Sequence, residues 1–165
     1  MSLENHSGLH IRPAVAADVP VILEFIKKLA AYEKLSHEVV ASEELLTETL
    51  FGAKRTAEVA IGYIEAKPVG FVLFFHNYST FLGRPGIYIE DLFVEEDFRR
   101  RGCGRALFLY VARLAKERHC GRLEWSVLDW NEPAIGFYKK LGAVPMSDWT
   151  VFRVTGDSLD KLAEG

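Results

Sequence analysis

Four arginines crowd into the seven residues Arg99-Arg100-Arg101-Gly102-Cys103-Gly104-Arg105, and the chemistry such a loop serves is the holding of an anion. Guanidinium groups match phosphate oxygens in a planar, often bidentate geometry. Gly102 and Gly104 let the backbone turn tightly and leave its N–H groups open to an approaching group. Ala106, Leu107, Leu109, Tyr110 and Leu114 follow at helical spacing, so the loop opens a helix whose positive dipole end adds to the site. The combination makes a site for an anion such as pyrophosphate. The common nucleotide motifs are excluded: G-x-x-x-x-G-K-[S/T] is missing, and Leu107 stands where G-x-G-x-x-G needs its third glycine. Cys103, beside arginines at a helix start, invites comparison with a reactive thiol. The plainer reading is a small residue accommodated in the loop.

The elements around the loop follow from pattern. Residues 88–94 are rich in β-branched and aromatic side chains and read as a buried strand. Before it, a first strand over 9–13 is stopped by Pro13, and Asp18 caps a helix reaching Tyr32 with Pro20 in its first turn. A second helix spans 42–50, with Gly52 as its stop. Two β-rich runs, 57–65 and 69–75, read as a hairpin, and the polar stretch 76–86 links them to the 88–94 strand. Beyond the loop helix, 121–128 reads as a strand. Asn131 then caps a helix with Pro133 in its first turn and Gly142 at its end. A last strand over 149–154 and a short helix over 157–163 complete the order β-α-α-β-β-β-α-β-α-β, an α/β pattern around a mixed sheet.

At 165 residues the chain suits one domain over 9–165, large enough to bury roughly 70% of its unfolded surface. Residues 1–8 are polar and read as a flexible N-terminus or an expression remnant. The net charge of −3 makes the arginine cluster a local feature and gives no support for nucleic-acid binding. No apolar run nears the ~20 residues that span a bilayer. Two cysteines, Cys103 and Cys120, give neither a disulfide framework nor metal-ligand spacing. The expectation is a cytoplasmic protein with no metal, no membrane and no nucleic-acid partner.

R-x-x-G-x-G between a strand and a helix, carried by Arg99, Gly102 and Gly104, resembles the acyl-coenzyme A signature of the GNAT N-acetyltransferases. Three further segments narrow the likeness: Ile11-Arg12-Pro13-Ala14 with Ala16-Ala17-Asp18, then Tyr88-Ile89-Glu90-Asp91, then Trp130-Asn131-Glu132-Pro133 running on to Phe137-Tyr138. Over about 11–154 the chain resembles the diamine acetyltransferase (spermidine/spermine N1-acetyltransferase) family. Polyamine enzymes of that family place an aspartate and a tryptophan where this chain has Ser79 and Phe81. Its Tyr78-Ser79-Thr80-Phe81-Leu82-Gly83-Arg84, with Leu128-Asp129-Trp130-Asn131, is similar to the thialysine N-ε-acetyltransferase branch. Without that aspartate a second cationic amine loses one partner. A lysine-like amino acid or small amine is therefore favoured over a long polyamine. A polyamine acetyltransferase and a non-catalytic acyl-coenzyme A-binding module are the alternatives.

The resemblance implies a GNAT acyl-CoA N-acyltransferase fold, a mixed, mostly antiparallel central sheet flanked by helices. It also implies acetyl-CoA as cofactor, a homodimer, and direct transfer in a ternary complex to a small-molecule amine. The backbone of Leu92, Phe93 and Val94 would receive the pantetheine arm as an added strand. The loop from Arg99 to Arg105 would hold the pyrophosphate, with Asn131, Glu132, Pro133 and Ala134 as further cofactor contacts. Leu141 replaces a basic cofactor contact of the polyamine branch.

An alkylamine with a pKa of about 10 must lose a proton before it attacks, and the departing thiolate gains from a nearby acid. The resemblance gives the first task to Glu90, through water, and the second to Tyr138. Competing structural readings are a strand carboxylate paired with an arginine, and a tyrosine spaced with Ile135 and Leu141 for burial. Asp91 adjoins Glu90 but faces the other side of a regular strand, unless a bulge intervenes. Tyr32, Glu33, Glu124, Trp125, Ser126 and Asp148 are the further substrate contacts implied.

Overall fold

The central hairpin turns on two residues without glycine. Strands β3 (Glu58–Ile64) and β4 (Lys67–Ser79) are joined by Glu65 and Ala66, with φ of 49° and 65°. Two successive left-handed residues give the twist that adjacent antiparallel strands require. The computed structural model describes residues 3–4 and 8–165. These fall into two compact units, Met1–Ser126 and Val127–Gly165.

In the first unit six strands lie in chain order: β1 (Leu3–Glu4), β2 (Leu9–Pro13), β3, β4, β5 (Arg84–Val94) and β6 (Leu123–Trp125). Every pairing is antiparallel except that of β5 with β6. The sheet is thus mixed and mostly antiparallel, as the sequence implies. Leu3–Glu4 pairs with His10–Ile11, so this part of the 1–8 stretch is ordered as strand, while residues 1, 2 and 5–7 lie outside the described residues. The expected link over 76–86 is instead the far end of a long hairpin, with Asn77 opposite Gly86 and Ser79 opposite Arg84.

Register sorts the side chains into two faces. Phe71 lies opposite Ile61 and Phe93, and Leu73 opposite Val59 and Asp91, so these share one face. Helices α1 (Val19–Tyr32) and α2 (Glu43–Phe51) cover that face with Ile22, Phe25, Leu46 and Leu50. The Phe25 ring centre sits 5.5 Å from that of Phe71 and 5.7 Å from that of Phe93. Helix α3 (Cys103–Glu117) packs on the reverse face through buried Leu107, Phe108 and Val111. It approaches closely at Gly70, where an added Cβ would lie 3.3 Å from the Leu107 side chain and only 2.5 Å from the Phe93 carbonyl oxygen.

Ser42, expected as the first residue of the second helix, instead caps α2, its Oγ accepting from the Leu45 N–H at 3.2 Å. Asp18 precedes α1, but its carboxylate is not a helix cap. It accepts from the two terminal nitrogens of Arg12 at 2.7 and 2.9 Å and from the Val15 N–H at 2.8 Å. A charged guanidinium outcompetes helix N–H groups because two parallel charge-assisted bonds form at once.

The second unit holds α4 (Glu132–Lys140) and α5 (Gly156–Glu164). The strand expected over 149–154 is absent; these residues are irregular and their larger apolar side chains, Trp149, Val151 and Phe152, are exposed. The local pattern is suitable, but a strand exists only where a neighbour completes its ladder, and that information is not local. No helix among the described residues is long and apolar enough to cross a membrane.

Candidate active site

Strand β5 changes its facing rule at one residue. Leu73 of β4 lies opposite Asp91, and the next residue, Phe74, lies opposite Ile89. Glu90 is the extra residue of a bulge. Were Glu90 paired in register, Asp91 would fall on the α3 side with Ile89; because Glu90 is bulged out, Asp91 shares the face of Leu73 and Phe93. Alternation alone therefore separates two acidic neighbours that the fold brings onto one side. Glu90 itself is exposed, whereas Asp91 is half-buried, so the carboxylate that is withdrawn from water is Asp91 rather than Glu90.

The end of α1 supplies a third carboxylate. The helix closes with Glu33 as its C-cap and Lys34 in a left-handed conformation with φ of 61°. The Leu35 N–H donates to the Ala30 carbonyl at 2.7 Å and the Lys34 N–H to that of Ala31 at 3.1 Å. These paired bonds fix the helix end and with it the neighbouring Tyr32 and Glu33. Burial raises the Glu33 carboxyl above its usual range. Burial first, then the charges of Glu90 and Glu33, push Asp91 up to about 6. Among the described residues no cation counters either shift, and an arriving ammonium would favour the charged form of both carboxyls.

Beyond Ile89 the sheet opens. The parallel pairing of β5 and β6 ends at Ile89 opposite Trp125, while β5 runs on to Val94. Leu92, Phe93 and Val94 thus lie on a strand edge beyond its last β6 partner, the arrangement into which an extended chain adds as a strand. The loop follows directly. Gly102, with φ of 82°, is the N-cap of α3, and no side chain caps the helix. The first helical bond runs from the Ala106 N–H to the Gly102 carbonyl at 2.9 Å, leaving the N–H groups of Cys103, Gly104 and Arg105 at the helix mouth. A Cβ built on Gly102 meets nothing within 4 Å, so the approach is open. These residues fit the diphosphate of an acyl-coenzyme A.

Arg101 lies over the Phe98 ring with its guanidinium carbon 5.4 Å from the ring centre. Arg99 turns back onto the end of β5, its Nε donating to the Val94 carbonyl at 2.9 Å. Cys103 is buried, and burial raises its thiol pKa, which argues against a reactive thiol.

Of the three residues expected on β6, two share a face and one does not. Glu124 lies opposite Tyr88, on the carboxylate side of the sheet, and the Tyr88 hydroxyl is hydrogen-bonded to Ser126. Glu124 is already engaged, its carboxylate 2.7 Å from the Arg122 Nε and accepting from the Asn77 amide at 3.0 Å. Trp125 is the correction. Strand alternation turns it onto the reverse face, where its ring meets Phe108 edge-on at 4.8 Å between centres. It packs on α3, on the face away from the carboxylates. Tyr88 is the residue the sequence reading passed over; its place two residues before the bulge is what links it to Ser126.

In the second unit Asn131 caps α4 as expected, its Oδ1 accepting from the Ala134 N–H at 3.4 Å, with Pro133 in the first turn. Asn131 is buried, while Glu132 and Pro133 are exposed. Tyr138 lies on the same helix, half-buried, with its ring centre 5.4 Å from that of Phe137. Asp148 is exposed in a turn.

A mixed sheet with a strand edge leading into an uncapped helix mouth is the frame of an acyl-group transferase, and comparison with known proteins places it. Residues 26–143 match the acetyltransferase (GNAT) family, and the chain belongs to that family. It is an N-acetyltransferase. Thialysine N-ε-acetyltransferase from Bos taurus is 37% identical over 93% of this chain and 96% of its own length. L-ornithine N5-acetyltransferase NATA1 from Arabidopsis thaliana is 34% identical over 92% of this chain and 86% of its own. Among solved structures, the integron cassette protein VCH_CASS6 from the mobile metagenome of V. cholerae superposes with a TM-score of 0.81 at 25% identity, covering 96% of this chain and 99% of that one.

Proposed function

We propose that this enzyme moves acetyl from acetyl-CoA to the primary amine of a small cationic substrate, a lysine-like amino acid such as thialysine or a diamine, by direct transfer in a ternary complex. The observation that carries the reading is the corner of Glu33, Glu90 and Asp91, where burial raises the carboxyls of Glu33 and Asp91 and, among the described residues, no cation counters either shift. Such a corner favours an arriving ammonium and disfavours an anion. The names of the thialysine and ornithine enzymes support the same substrate class.

Bound acetyl-CoA supplies the reactive thioester. The chain's own residues do the rest. The N–H groups at the mouth of α3, with Arg100, Arg101 and Arg105, hold the diphosphate, and the β5 edge at Leu92, Phe93 and Val94 aligns the arm. Asn131 to Ala134 add contacts. Asp91 and Glu33 hold the amine, with Tyr32, Glu124, Ser126 and Asp148 as further contacts. Glu90, facing water, takes the amine proton through a water molecule. The Tyr138 hydroxyl gives its proton to the leaving sulfur.

A thiol-release assay with acetyl-CoA across lysine analogues, diamines and polyamines tests the substrate class; spermidine turning over faster than thialysine would move it to the polyamine branch. Tyr138→Phe is expected to lower kcat about 100-fold while coenzyme binding is kept. Unchanged turnover removes Tyr138 from the mechanism. The reading includes a homodimer, supported by exposed Trp149, Val151 and Phe152; a monomer mass by light scattering would exclude it. A reducing, cytoplasmic setting accords with two free cysteines.

A further inference from the structure

Arg99 opens the arginine loop, yet its side chain is spent on the protein. Its Nε donates to the Val94 carbonyl at 2.9 Å. Its guanidinium carbon lies 5.0 Å from the ring centre of Tyr32 and 5.6 Å from that of Phe93. Directly afterwards Arg100 adopts a left-handed conformation with φ of 61°, so the backbone reverses between Arg99 and the other arginines of the loop.

The three groups that hold Arg99 come from two places that matter to the reaction. Phe93 and Val94 end the strand edge offered to the cofactor arm. Tyr32 is the last residue of α1, and the next residue, Glu33, is the carboxylate that acts on Asp91. The helix end is internally fixed by its paired backbone bonds, so a contact that locates Tyr32 also locates Glu33. A planar guanidinium suits this task, because its faces stack on aromatic rings while its edge donates a hydrogen bond. A lysine ammonium, a compact point charge, does not combine the two.

We propose that Arg99 is a positioning residue for the amine substrate: it braces the end of α1 against the end of β5, setting Tyr32 and Glu33 relative to Asp91, and is not a diphosphate ligand. The proposal rests on the reading of the carboxylate corner as the amine site. It reverses what the arginine count of the loop suggests. It also joins the two substrates' sites through one side chain, so that an error in α1 placement is felt by the amine and not by the coenzyme.

The test separates the two substrates. Arg99→Gln and Arg99→Lys are assayed with amine and acetyl-CoA varied in turn, using whichever amine the wild-type enzyme turns over best, and coenzyme A binding is measured by calorimetry. Both variants are expected to raise the amine KM about tenfold, the scale of a small misplacement of a binding group. Coenzyme A affinity should stay within about twofold of wild type. Tyr32→Leu should reproduce the amine defect, and combining it with Arg99→Gln should add little, since both remove one brace. A fall in coenzyme A affinity as large as the rise in amine KM overturns the proposal, as does an amine KM that does not move. Calorimetry decides the diphosphate question whichever amine proves to be the substrate. A wild-type enzyme inactive on every lysine analogue and diamine would refute the amine reading instead.

Discussion

Two aspartates of this chain stand in similar surroundings and have opposite fates. Asp18 and Asp91 both lie on the α1 side of the first unit, at opposite ends of that helix, and both are largely withdrawn from water. Asp18 meets the Arg12 guanidinium edge-on in a two-point pair, with the Tyr63 hydroxyl alongside, and the side-chain bond from Arg12 holds its carboxyl below the usual range. Asp91 meets two further carboxylates, and its carboxyl rises to about 6. The first corner is complete in itself. The second is complete only when something positive arrives, and a group left in deficit is a mark of a site rather than of a scaffold.

That contrast can be broken by treating the two residues identically. Asp91→Asn should cost about 100-fold in amine turnover, or roughly 2.7 kcal/mol of barrier, with the folded state no less stable. Wild-type amine affinity should weaken as pH falls through about 6, where Asp91 takes up its proton, and the variant should lack that dependence. Because the folded carboxyl is raised above its unfolded value, the wild-type protein gains stability as pH falls through that window, and Asp91→Asn should not. Equal turnover in both proteins would show that Asp91 is only a neighbour of the chemistry.

Asp18→Asn should do the reverse. It removes one partner of a part-buried pair, and a loss of about 2 kcal/mol is expected, or about 4–8 °C in Tm for a chain of this size. Activity per folded molecule should hold. Here the folded carboxyl is lowered, so its stabilising contribution is present above the unfolded pKa near 4 and disappears as pH falls through the lower folded value. A thermal melt insensitive to this substitution would mean that the Arg12–Asp18–Tyr63 cluster is ornamental, and the comparison would lose its reference point.

Much of this was readable from local pattern. The glycine loop, the ends of α1 and α2 to within a residue, the existence of the central hairpin and the Asn131 cap all depend on neighbours within a few residues and are found. The second hairpin strand, however, runs 67–79 rather than 69–75. What escaped depends on partners far along the chain. The facing of Asp91 is decided by β4, more than fifteen residues earlier, because a bulge is a property of a pair of strands and not of one. Trp125 looks like a substrate contact until the parity of β6 against β5 is known. Asp18 has the residue type of a helix cap, and only Arg12, on another element, diverts it. The 149–154 run has the composition of a strand but finds no ladder within its own unit.

The single added residue at Glu90 has one more consequence. It divides β5 into two stretches: 84–89 pair with 74–79 of β4, with 87–89 also paired to β6, and 91–94 pair with 70–73 of β4 alone. Deleting that residue would restore perfect alternation and leave both halves facing as they do, whereas pairing it in register would turn one half of the strand inside out. A one-residue deletion should therefore be better tolerated at this position than at the paired positions on either side of it.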